Sequence, residues 1–348
     1  MQSPVLKRLL LAVPVVAVSA LLAGCPRQSG TGTGGTTAST SNRVVIYCSV
    51  DDVFSKPILD ELEKETGLDI QPLFDVESAK AAGLANKIRA ERNRPRADVF
   101  WASTVLQTQL LANEGYLASY ESPSAKDIPA EYKDPNGLWT GMGLRARVLI
   151  SSQPSTEKNL LFVPKNMSGK FAISNPQFGT CSDWVAAYGA RLGIDKTADT
   201  FKQMKAEGVR ILPGNADVAL GVADGNLLYG VTDSDDYLSQ KLQKKTVYLV
   251  KTTENNVLIP GCASMIKDSP NPENARKLLD ALLSAQTEGR LTTKMPGVFS
   301  VRHLSDAKNW QSGGEDFSFL KNEALPDFTK WRPAWESLRK PLADLFTP

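Results

Sequence analysis

Three aspartates, Asp233, Asp235 and Asp236, directly follow the apolar run Asn226-Leu227-Leu228-Tyr229-Gly230-Val231, and a fourth, Asp51, follows Val44-Val45-Ile46-Tyr47. Carboxylates can ligate a hard cation or receive an ammonium group. Several of them converging on one cleft repel one another unless a cation joins them. An aspartate-rich loop can equally be a solvated turn or a helix cap. Position speaks for a site, because ligands of α/β sheets sit beyond the carboxyl ends of the strands. Arg145 and Arg147 are open to two roles: salt bridges, or an anion held by the guanidinium fork. Catalytic signatures are missing: there is no H-E-x-x-H, G-x-S-x-G or G-x-x-x-x-G-K-[ST]. The single histidine, His303, excludes every zinc site that needs two.

The elements that must position these residues alternate. A strand at 44–47 leads to a helix capped by Ser55, with Pro57 in its first turn and Gly67 past its end. Asp69 to Phe74 is a second strand, and a helix follows with Leu84 and Ile88 on one face. Strands are expected at 97–101, 147–150 and 226–231, with helices at 217–223 and from Asn271 onward. This βαβ alternation argues for α/β architecture with mainly parallel strands, and about 300 folded residues suggest two lobes.

Ahead of the folded part, Lys7 and Arg8 precede an uncharged apolar stretch, Leu9 to Leu22. Fourteen residues make roughly 21 Å of helix, short of the ~30 Å hydrocarbon core, so the stretch reads as an export signal rather than a span. Leu22-Ala23-Gly24-Cys25 resembles the bacterial lipobox, which makes Cys25 the expected lipidated N-terminus of the mature protein. Residues 26–42 are rich in Gly, Ser and Thr and read as a flexible tether of at most about 60 Å. The Gly30–Gly35 match to G-x-G-x-x-G has neither a strand before it nor a helix after it, and is linker. Removing Lys7 and Arg8 from the 40 basic residues leaves 38 against 38 acidic ones, a balance that argues against nucleic-acid binding. With Cys25 lipidated, Cys48, Cys181 and Cys262 are an odd set, read as buried thiols.

Tyr47-Cys48-Ser49-Val50-Asp51, Glu65-Thr66-Gly67, Ala97-Asp98-Val99-Phe100-Trp101, Gly143-Leu144-Arg145-Ala146-Arg147-Val148, Val222-Ala223-Asp224-Gly225 and Asn271-Pro272-Glu273-Asn274-Ala275 follow one another in this order. Together they resemble the extracellular solute-binding proteins of ABC importers, in the ferric-ion-binding branch. The resemblance implies a type II periplasmic-binding-protein fold: two α/β lobes, two crossover strands near 145–150 and 254–262, and solute in the cleft between them. It divides the chain into a signal at 1–24, the lipidated cysteine and linker at 25–43, a first lobe at 44–147 plus 257–297, and a second at 148–256 plus 298–348. No single sheet is expected to run through both lobes.

The implied protein is not an enzyme. It is a monomer, lipid-anchored in the periplasm or cell envelope, that delivers solute to an inner-membrane permease and its ATPase. Asp51, Asp233, Asp235 and Asp236 fall at the ligand or metal positions, with Asp235 and Asp236 where that branch carries paired tyrosines. Ser103, Arg145, Gly179, Thr180 and Asn215 fall at the anion positions, Gly179 and Thr180 in a loop. Two solutes fit such a two-faced site: Fe³⁺ with a synergistic anion, or a small zwitterion such as an aminophosphonate. A secreted lipoprotein enzyme on the same scaffold is a further alternative.

Overall fold

The computed structural model describes residues 42–346 except 76–80, 162, 164, 166–168, 322, 324 and 325. The signal, Cys25 and nearly all of the linker lie outside the described residues. Asn42–Pro348 forms one compact unit with its own core. Among the described residues no helix is long and apolar enough to cross a membrane.

The chain opens with β1 (Arg43–Cys48), α1 (Asp52–Thr66), β2 (Asp69–Phe74), α2 (Ala82–Ala90), β3 (Val99–Ala102), α3 (Val105–Asn113) and β4 (Leu117–Ala118). A long strand, β5 (Thr140–Ser151), leads into β6 (Phe171–Ser174), α4 (Gly179–Leu192), α5 (Ile194–Ala206), β7 (Arg210–Leu212), α6 (Asn215–Ala223), β8 (Tyr229–Asp233), α7 (Ser234–Leu242) and β9 (Tyr248–Val250). The second long strand, β10 (Val257–Ile266), is followed by α8 (Pro272–Leu282), α9 (Ala285–Lys294), β11 (Val298–Phe299) and, at the end, α10 (Trp331–Phe346).

The sheet order is β2-β1-β3-β10-β5-β8-β6-β7. β1, β2 and β3 are parallel to one another, as are β6, β7 and β8. Between these triplets lie β5 and β10, paired antiparallel. The hydrogen-bonded ladder is therefore continuous, contrary to the expectation that no single sheet runs through both lobes. The reason is that the crossing strands bond to each other and change partners along their length. β5 pairs with β10 through Arg147 and with β8 from Arg147 onward, while β10 reaches β3 only with its last residues. Both long strands are irregular at one level: Gly143 takes φ +63 where the β10 register shifts between Pro260 and Gly261. A Cβ on Gly143 would sit 2.9 Å from Leu291 and Val298, so glycine is required there for space as well as for backbone conformation.

Several expected boundaries move. α1 starts at Asp52 with Asp51 as its N-cap, and Ser55 lies inside the helix, its hydroxyl donating to the Val50 and Asp51 carbonyls. Pro57 is consequently interior rather than in the first turn. β5 is three times the expected strand, because all twelve of its residues are buried and no polar alternation marks its start. α10 packs on α4 and α5.

Candidate functional site

Four helix N-termini and the end of β3 meet at one small cavity of about 30 Å³. Its walls include Asp51 before α1, Ser103 after β3, Arg145 of β5, Phe178, Gly179 and Thr180 at α4, Gly214 and Asn215 at α6, and Asp233, Asp235 and Asp236 at α7. Every cleft residue expected from the sequence therefore lines this one pocket. Gly179 and Thr180 are not in a loop: they form the first turn of α4, after the extended Phe178. Helix N-termini present unpaired N–H groups and favour negative charge, which suits both the aspartates and an anionic guest.

The acidic run is not a solvated turn. Asp233 is 1% exposed and Asp235 7%. Asp233 ends β8 and serves as the N-cap of α7, whose first turn carries Asp235 and Asp236. Arg147, fully buried, donates to Asp233 Oδ1 at 2.8 Å and to Asn215 Oδ1 at 2.8 Å. Its guanidinium lies 5.4 Å from the Trp184 ring centroid. Asp233 Oδ2 accepts from the Thr180 hydroxyl at 2.5 Å and from Asn215 Nδ2 at 2.9 Å. Ser174 donates to Asn215 Oδ1 at 2.6 Å, closing the network. Both Asp233 oxygens are thus bonded within the protein. Burial disfavours the Arg147 charge, and Asp233 more than offsets it, holding the guanidinium above its ordinary pKa.

Arg145 stands one level nearer the cavity, its Nε 3.0 Å from Asp235 Oδ2. Burial opposes its charge too, and the surrounding Asp235, Asp233, Asp51 and Asp236 raise its pKa despite that. Strand spacing explains the pair: residues two apart point to the same face, here toward α7. That spacing was legible, but it did not reveal which acid each arginine meets. Carboxylate oxygens of Asp233, Asp235 and Asp236 lie within 4.8 Å of one another, close enough to share a metal ion.

Backbone close approach fixes α7 in place. Ser234 Oγ donates to the Gly297 carbonyl at 2.5 Å, and a Cβ on Gly297 would lie 2.5 Å from the Asp235 nitrogen. On the facing wall, Ser103 N–H donates to Ser49 Oγ at 2.8 Å, tying the end of β3 to β1. Ser174, Asn175, Phe178, Pro213 and Gly214 also line the cavity and were not anticipated. They end or follow β6 and β7, two short strands with little alternation to mark them. Cys48, Cys181 and Cys262 are all buried; Cys181 and Cys262 are thiols, and burial raises Cys181 to about 11.

A cavity between two strand triplets, beyond the carboxyl ends of their strands and crossed by two shared strands, is the layout of a solute-binding protein. Residues 44–294 match the family model of bacterial extracellular solute-binding proteins, and the chain belongs to that family. It is 23% identical over 265 residues to an uncharacterized protein of Haemophilus influenzae, covering 72% of this chain and 75% of that one. Over 198 residues it is 29% identical to a Sinorhizobium fredii protein described as a probable ABC transporter periplasmic-binding protein, covering 48% and 55%. Among solved structures, iron-bound HitA of Pseudomonas aeruginosa superposes with a TM-score of 0.76 at 21% identity, covering 88% of this chain and 99% of HitA. AfuA of Actinobacillus pleuropneumoniae, bound to fructose-6-phosphate, gives 0.73 at 21% identity, covering 87% and 98%. The fold is the two-lobe, type II periplasmic-binding-protein fold, and the chain is a solute-binding protein of that family.

Proposed function

We propose that the solute is ferric iron, held with a small anion between two closing lobes formed by 44–147 plus 257–297 and 148–256 plus 298–348. The observation that carries this reading is the acidic constellation at the cavity, where carboxylate oxygens of three aspartates lie within 4.8 Å of one another. Asp51, Asp235 and Asp236 supply hard oxygen ligands, and Asp233, already bonded on both oxygens, aligns the α7 turn. Ser103, Arg145 and the N-termini of α4 and α6 at Gly179, Thr180 and Asn215 receive the anion. HitA bound to iron and a Trichodesmium protein in complex with iron and citrate support iron as the cargo.

The second reading is a small zwitterion such as an aminophosphonate, its ammonium on the aspartates and its oxyanion on the helix N-termini. Arg145 and Arg147 favour it, because they already compensate Asp235 and Asp233 and lower the demand for a trivalent cation. Native mass spectrometry of protein purified without refolding separates the two. Retained iron with an anion supports the first reading, and a retained organic zwitterion replaces it with the second.

We further propose that Cys25 carries the lipid and that the tether holds the protein at the envelope membrane. The Cys25→Ala variant should lose the lipid mass and leave the membrane fraction; unchanged retention would contradict this.

A further inference from the structure

The segment 87–96, Lys-Ile-Arg-Ala-Glu-Arg-Asn-Arg-Pro-Arg, carries five basic residues against one acid, in a chain whose charges balance overall once Lys7 and Arg8 are set aside. Lys87 pairs with Glu91 at 3.0 Å and Arg89 with Glu114 at 2.6 Å. Arg92, Arg94 and Arg96 are exposed, as is Lys267. The side chains of these four make no ion pair or hydrogen bond among the described residues. Arg92, Arg96 and Lys267, with Glu91 and Asp268, line a pocket of about 190 Å³. Glu91 is spent on Lys87 and the Tyr47 hydroxyl, so of the acids lining the pocket only Asp268 opposes its three cations, Arg92, Arg96 and Lys267.

Topology places this patch. Asp98 N–H bonds the Val45 carbonyl and Ile266 N–H bonds the Asp98 carbonyl, so Arg96 and Lys267 lie at the N-terminal ends of parallel β1 and β3. Asp51 and Ser103 follow the opposite ends. The compact unit begins at the patch end too: Arg43 pairs with Asp69, and Asn42 Nδ2 donates to the Gly67 carbonyl. The chain therefore leaves for its tether from the same end of the sheet that carries the unpartnered cations.

We propose that this end of the β1–β3 sheet docks on anionic lipid headgroups, with Arg92, Arg94, Arg96 and Lys267 facing lipid phosphates and the cleft held away from the bilayer. The inference rests on the envelope-anchored reading for its biological setting, in which a tether of at most about 60 Å confines the unit to the neighbourhood of the membrane. Each arginine near such a surface strengthens binding about fivefold, and the effect fades within a Debye length.

The test is sedimentation of the chain from Pro26 onward, which keeps the compact unit and lacks the lipidation cysteine, with vesicles of phosphatidylglycerol or of phosphatidylcholine. The expected result at low ionic strength is binding to phosphatidylglycerol vesicles alone. The R92Q/R94Q/R96Q variant should lose about 100-fold in that affinity. The K196Q/K202Q/K244Q variant, with the same charge change elsewhere, should match the unmodified chain. No binding to anionic vesicles, or equal losses in the two variants, overturns the proposal. Neither solute nor lipidation enters this assay, so failure of the iron or Cys25 reading leaves its outcome intact.

Discussion

Replacing Arg147 by Met removes the cation that neutralises Asp233 in the protein interior. Breaking a buried pair from one side costs about 3–5 kcal/mol, because the partner stays behind as an uncompensated charge. Asp233 keeps its bonds from Thr180 and Asn215, which puts the Arg147→Met cost at the low end, about 3 kcal/mol. Asp233→Asn should cost a similar amount, since it leaves the Arg147 guanidinium buried beside Trp184. In the double variant no charge is stranded, so the expected total is about 3 kcal/mol rather than about 6, a coupling of about 3 kcal/mol. Urea unfolding followed by tryptophan fluorescence measures all three. The Tm of each single variant should fall by about 5 °C. Costs that add to within about 0.5 kcal/mol would refute the reasoning, because independent sites behave that way.

Further consequences concern the crossing strands, pH and the α7 turn. Gly143→Ala forces a side chain into Leu291 and Val298 at positive φ and should destabilise by about 1–3 kcal/mol in the same assay. Asp183 of α4 accepts the backbone N–H groups of Val105 and Leu106 at the start of α3, and burial, opposed by those bonds, raises its pKa to about 8. A carboxyl raised on folding contributes stability that is complete below its unfolded pKa near 4 and is lost as pH rises through about 8. Between those values stability should fall by up to about 1.4 kcal/mol per pH unit, and Asp183→Asn should flatten that slope in pH-dependent unfolding. Gly297→Ala pushes on the Asp235 backbone and should weaken solute affinity at least tenfold in equilibrium titration while the circular dichroism spectrum is retained.

The strand–helix alternation and the acid after each strand were readable because both follow local rules. Asp51, Asp235 and Asp236 were located by their place beyond β1 and β8, and the structure sets them around one cavity. What the sequence hid was pairing over distance. Arg147 and Asp233 stand 86 positions apart and meet only because β5 and β8 register them opposite each other. The start of α1 was misplaced because Ser55 resembles a cap, whereas its hydroxyl bonds backward to carbonyls that a cap would not use. Gly179 and Thr180 were placed in a loop by the family resemblance, whereas the chain begins α4 there, with Gly179 at φ +53 and no side-chain cap. The continuous ladder was unforeseeable from β5 itself, whose buried faces erase the alternation that shows where a strand begins.

The cargo reading turns on Asp236, which is only half-buried and contributes less to the core than Asp233 or Asp235. Titration calorimetry of the unmodified protein and the Asp236→Asn variant, each against ferric citrate and 2-aminoethylphosphonate, is the direct measurement. One ferric site per chain, at least tenfold weaker in Asp236→Asn, and no heat from the phosphonate are expected. Equal ferric affinity in both proteins, or saturable binding of the phosphonate alone, would contradict it.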